Sequence, residues 1–231
     1  MTLLAYGAVE LTYAKAQIQA NTFTPQTKTV MGGKLYTTPL FGGASIIFPL
    51  GWNGTEVSAN TGVRVVLFPT NFIPQRGVAP SNISSIEGAT MALTILNKTD
   101  SINVTGDVNK TTLSRFVGPL SDTSPGFQKP DCKISQQSNS TFLNGKSFKE
   151  WVSTCRLTIS TIRSNLTSAS SSSASTSTFL INAKIKSYAY VTPQSISYLL
   201  VLSATSPSRF EKFISAFDAS AKTFKIGAGR L

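Results

Sequence analysis

Histidine is absent from the 231 residues. That excludes Ser-His-Asp and Cys-His catalysis, HExxH zinc sites and histidine-ligated haem. Charge is scarce as well, at 13% of residues against roughly 25% in an ordinary soluble domain. The acidic sign is the scarcer one, with ten Asp and Glu against 21 Lys and Arg. Glu56, Glu87, Asp100, Asp107, Asp122 and Asp131 are scattered through expected loops without a recognisable pair, so a hydrolase built from carboxylates alone has no evident site. No apolar run approaches the ~18 residues of a membrane helix. No membrane span is expected, and the long apolar N-terminal helix of a type IV pilin is missing too. Cysteine occurs twice, without CxxC spacing, which leaves zinc-ribbon and redox roles unsupported. The chain reads as a protein that is not an enzyme and that needs no cofactor or metal.

What is present is hydroxyl and amide. Roughly a quarter of the chain is Ser or Thr, and 41% is apolar, enough for a sizeable core. The formal charge of +11 raises the question of nucleic acid. The basic residues are dispersed, however: Lys34, Arg64, Arg76, Lys98, Arg115, Lys146, Arg163, Lys184 and Lys212 form no stripe interleaved with aromatics. We read a dispersed positive surface, with no nucleic-acid partner. Few carboxylates also suit an acidic medium, where Asp and Glu neutralise.

Seven Asn-X-Ser/Thr tripeptides begin at Asn53, Asn82, Asn97, Asn103, Asn109, Asn139 and Asn165. That is about twice the number expected from the Ser, Thr and Asn content alone, and the tripeptide is the acceptor of N-glycans. The expectation is an extracellular glycoprotein with these side chains at its surface. Residues 1–20 contain no secretory leader, because Glu10 interrupts the apolar stretch, so a leader is expected to have preceded residue 1. In that compartment Cys132 and Cys155 are expected to form a disulfide. It closes a loop of just over twenty residues and restricts the unfolded chain by roughly 3 kcal/mol.

The chain divides into an N-terminal tail, 1–40, and a globular head, 41–231. In the tail, Leu3, Ala5, Gly7, Val9, Leu11 and Tyr13 share one face at period two, the pattern of a strand with one buried side. Gly7 in its middle suits a close approach by a neighbour. Residues 19–30 read as a polar connector. In the head, strands are expected over Ala44–Trp52, Val63–Phe68, Thr90–Leu96 and from Leu157 onward. Residues 97–150 read as long glycan-bearing loops, and Thr167–Ser177 as a Ser-rich linker. Phe179, Ile181, Ala183, Ile185 and Ala189 alternate with Asn182, Lys184 and Lys186, and Ile196–Ser203 follows as a buried central strand in a hairpin with them. Ser208 and Glu211 have capping-box spacing. Phe210, Phe213, Ile214, Phe217, Ala221 and Phe224 then form the stripe of a helix packed on a sheet, with Gly227 ending it. The expected class is mainly β: an antiparallel sheet or sandwich head with a C-terminal amphipathic helix, preceded by an extended strand.

Ile47-Phe-Pro-Leu-Gly-Trp52 resembles the strand-Pro-x-x-Trp opening of PsbP-like domains. Tyr198-Leu-Leu-Val-Leu-Ser-Ala-Thr-Ser-Pro207, then Arg209-Phe-Glu-Lys-Phe213 and Ser220-Ala-Lys-Thr-Phe-Lys-Ile226, are similar to their closing strand-helix segment. This resemblance covers about 42–68 and 178–226, and it implies an α+β antiparallel sheet with helices on it. The layout as a whole resembles the subunit of an archaeal thread filament, donor-strand complemented and type I pilin-like. That resemblance implies that residues 3–13 fill a groove in the next subunit. Two functions are therefore expected. The first is a structural subunit of an extracellular, cell-surface filament serving adhesion or cell-cell contact, its partners being identical subunits and covalent N-glycans. The second is a monomeric secreted PsbP-like binding or accessory module.

Overall fold

The computed structural model describes residues 21–23, 25–59, 62–69, 88–97, 131–163 and 175–227. These form two sheets, in which every pairing is antiparallel. The strands in chain order are β1 (Asn21–Phe23), β2 (Thr27–Val30), β3 (Gly33–Thr38), β4 (Ala44–Phe48), β5 (Trp52–Ala59) and β6 (Gly62–Pro69). They continue as β7 (Ala89–Asn97), β8 (Asp131–Leu143), β9 (Lys146–Arg163), β10 (Ser175–Val191) and β11 (Ile196–Ala204). Helix α1 (Pro207–Thr223) and the two-residue β12 (Lys225–Ile226) close the chain. The large sheet runs β1-β5-β6-β7-β11-β10-β9-β8, and the small one β12-β4-β3-β2. The mainly β class with a C-terminal helix is the architecture observed.

One face of the large sheet carries the main core. Val63, Val65 and Leu67 of β6 share it with Met91, Leu93 and Ile95 of β7 and with Leu200 and Leu202 of β11. Tyr36, Ile46 and Phe48 from the small sheet, and Phe210 and Phe217 from α1, close over them. These side chains are 0–3% exposed. Each fully buried one contributes about 1.5–3 kcal/mol in transfer terms, which is why the helix and the small sheet stay docked. Rings interlock at the junctions: Trp52 meets Phe213 edge-on at 5.3 Å, and Tyr188 stacks on Phe217 at 5.7 Å. Gly54 sits where a Cβ would strike the Val66 carbonyl of the paired strand, so β5 and β6 can approach there only with glycine.

The expected hairpin of β10 with a central β11 is present, and β11 lies between β7 and β10. Several expectations need correction. Residues 131–150 are strand, not glycan loop: β8 and β9 form a long hairpin across the two-residue turn Asn144-Gly145. Within the expected connector and tail, β1 pairs with β5, and β2 and β3 build the small sheet with β4. Trp52 opens β5 and does not end the strand before it. The N-cap of α1 is Ser206, whose hydroxyl accepts from the Arg209 amide, with Pro207 following. Proline lacks the amide that would go unpaired at that position, which favours this start over Ser208. On β10 the expected alternation of two faces is present: Ile181, Ala183 and Ile185 join Trp151, Cys155, Leu157 and Val201 in a second buried cluster on the face away from the helix. Lys184 and Lys186 face α1.

Candidate functional site

β8 ends the large sheet. It pairs with β9 on one side, and among the described residues no strand pairs with its other side. Its side chains from Lys133 to Ser138 are exposed, and Ile134 retains 48% of its accessible surface. An edge strand offers unpaired N–H and C=O groups to another strand. Two devices hold this edge to the sheet. At one end Asn144 (φ 47°) and Gly145 (φ 74°) form the tight turn, a conformation that twists with the strands it joins. At the other end Cys132 and Cys155 lie directly opposite, Cα to Cα 4.0 Å, and are bonded as a disulfide. Register shifts between Ile134 and Gln136 and between Ser138 and Thr141 interrupt the ladder. Gln136, Gln137 and Ser138 there line a shallow hollow of about 130 Å³ with Glu150, Trp151 and Val152.

Behind this edge an ionic cluster joins β9, β10 and α1. The Lys186 ammonium lies 2.9 Å from Asp218 and 3.1 Å from Glu150. The Tyr188 hydroxyl donates to Asp218 at 3.1 Å, and the Thr141 hydroxyl donates to Glu150. Burial pushes the Lys186 pKa down, but its bonds to Tyr188, Asp218 and Glu150 together outweigh that and raise it. Burial pushes the Tyr188 phenol up to about 12, with Lys186 pulling the other way. Two turns of helix earlier, Lys184 meets Glu211 at 2.7 Å over the Phe210 ring. These groups satisfy one another, so the cluster holds the helix to the sheet. A second acid, Glu56, is buried between the two sheets beside the Tyr36 hydroxyl, and burial raises its pKa.

Of the expected site residues, Cys132 and Cys155 come together as the disulfide. Asn53 is exposed on β5, and its Oδ1 accepts from Lys34 at 3.3 Å. Asn97 is exposed at the end of β7, and Asn139 lies within β8. Asn82, Asn103, Asn109 and Asn165 lie outside the described residues, as do Leu3, Ala5, Gly7, Val9, Leu11 and Tyr13. Among the described residues no three His, Cys, Asp or Glu converge as a metal site, and no helix is long and apolar enough to cross a membrane. Reading the sequence missed the β8 edge altogether, because its side chains are polar on both faces. The signal available for it was Asn144-Gly145, the dipeptide of a two-residue hairpin turn.

No family model matches the chain, and no curated protein matches it. Among solved structures it is similar to the solution structure of cyanobacterial PsbP (CyanoP) from Synechocystis sp. PCC 6803. The identity is 14% and the TM-score 0.37, with 90% of this chain and 92% of that one covered.

Proposed function

We propose that this chain is a structural subunit of an extracellular glycosylated filament, polymerising head to tail by strand addition and serving adhesion or cell-cell contact. The observation that carries the reading is the position of two edges. Strand β1, which follows the tail, lies at one end of the large sheet, and β8, with no strand on its outer side among the described residues, lies at the other end. Eight strands spaced by about 4.8 Å put those ends roughly 34 Å apart. A segment leaving one edge and adding to the opposite edge of the next copy makes a heterologous contact that does not close, which gives a fibre. Residues 3–13 are one-sided, and seven residues separate Tyr13 from Asn21. A spacer of that length, at ~3.3 Å per residue when extended, spans roughly 25 Å. A hairpin bonded at both ends resists peeling when load reaches its outer strand.

Negative-stain microscopy of protein from the native source tests the reading. Fibres are expected. Val9→Asp and Leu11→Asp bury an unpaired carboxylate in the junction and should leave folded monomers, and Gly7→Leu should do the same by clash. Folded monomers from the unaltered protein at every concentration would overturn the reading and leave the monomeric secreted module. Variants that unfold would place residues 3–13 in their own sheet.

A further inference from the structure

We propose that the cavity beside the β8–β9 turn binds a small apolar molecule carrying one anionic group, such as an aromatic or medium-chain carboxylate or sulfonate. The cavity is about 240 Å³. Leu143, Phe148 and Phe224 form its apolar floor, and each is 0–5% exposed. Phe148 and Phe224 meet edge-on at 5.9 Å, so ring faces and edges are already in place for an apolar guest. Ile226 adds a side wall.

The rim has one sign. Lys146, at the start of β9, and Lys225, on β12, line the opening from two different elements, and among the described residues no carboxylate lines it with them. Both lysines are exposed, and neither forms an ion pair among the described residues. The walls are fixed before any guest arrives. The Asn144 amide donates to the carbonyls of Lys222 and Phe224, pinning the hairpin turn over the end of α1. A cavity held open in this way loses little ordering entropy on binding. An apolar body with one anionic head matches both floor and rim. A neutral guest leaves the two cations unanswered, and a polyanion has no body to fill the floor.

Anilinonaphthalene sulfonate is the probe, titrated into the folded full chain with fluorescence as the readout, and neutral N-phenylnaphthylamine is its uncharged counterpart. We expect saturable one-to-one binding of the sulfonate at about 100 µM or tighter. Lys146→Glu with Lys225→Glu should weaken the sulfonate roughly tenfold and change the neutral probe less than twofold. Ile226→Trp should fill the cavity and abolish both signals, with melting temperature and near-ultraviolet dichroism confirming the native fold. Equal sulfonate affinity in the charge variant overturns the proposal. Undiminished binding in Ile226→Trp overturns it as well, by placing the probe elsewhere.

Discussion

Lys186→Met isolates the charge in the cluster that docks α1 on the large sheet. Methionine keeps the length and apolar stem and deletes the ammonium. Lys186 is 12% exposed at its side chain, and its partners Glu150 and Asp218 are 22% and 36% exposed. Without the lysine, two carboxylates are left facing each other no more than about 6 Å apart. Removing one member of a buried pair typically costs about 3–5 kcal/mol. Asp218 reaches solvent, so the loss here should be smaller, about 2–3 kcal/mol. For a chain of this size that lowers the melting temperature by about 5–10 °C. The folded-state pKa of Lys186 is raised above 10.5. Its contribution is therefore fully present below that value and is lost only as pH rises through the higher folded value. Urea and thermal unfolding followed by circular dichroism at pH 7 measure the loss. Adding Glu150→Gln and Asp218→Asn to Lys186→Met should restore most of the loss at pH 7. The reasoning fails if that triple variant is no more stable than Lys186→Met, because Lys186 would then act through its stem and not its charge.

Glu56→Gln tests the acid between the sheets. Its raised folded pKa means that the native state binds more protons than the unfolded chain, so stability falls as pH rises above the unfolded value of 4.5 and levels off beyond the folded one. The variant should be more stable than wild type at pH 7 and no more stable at pH 3, and an unchanged pH profile would refute the assignment. Cys132→Ala with Cys155→Ala should cost roughly 3 kcal/mol and expose the amides near Ile134 to hydrogen exchange before those near the Asn144 turn. Intact-mass measurement with and without reduction should show the bond in the native protein, and two free thiols would remove it. Peptide mass spectrometry of native material should find glycans on most of Asn53, Asn82, Asn97, Asn103, Asn109, Asn139 and Asn165. Seven bare peptides would remove the extracellular argument.

Where a strand is a short apolar run or a helix carries one apolar stripe, the sequence alone was enough. β6, β7 and β11 were legible because Val, Leu and Ile cluster in short runs bounded by glycine, proline and polar residues, and that pattern has one stable use, a buried strand. The phenylalanine stripe of α1 was legible for the same reason, since spacing of three and four fixes one face of a helix. The disulfide followed from cysteine count and composition.

The β8–β9 hairpin was hidden because it owes its strands to ladder hydrogen bonds and a bonded cysteine pair, not to apolar alternation. Lys133 to Ser138 would read the same in a loop. β1 to β3 were hidden likewise, being short and mostly polar, with register set by partners far along the chain. β10 shows the limit most clearly. Its alternation separated two faces correctly, yet period two says only that they differ, not which lies beneath a helix. Tertiary packing covered the face bearing Lys184 and Lys186, because Glu211 and Asp218 on α1 answer those charges. Sequence spacing thus set β6, β7, β10, β11 and α1, while the polar strands, the assignment of faces and the lysine-rimmed cavity arose only where distant segments met.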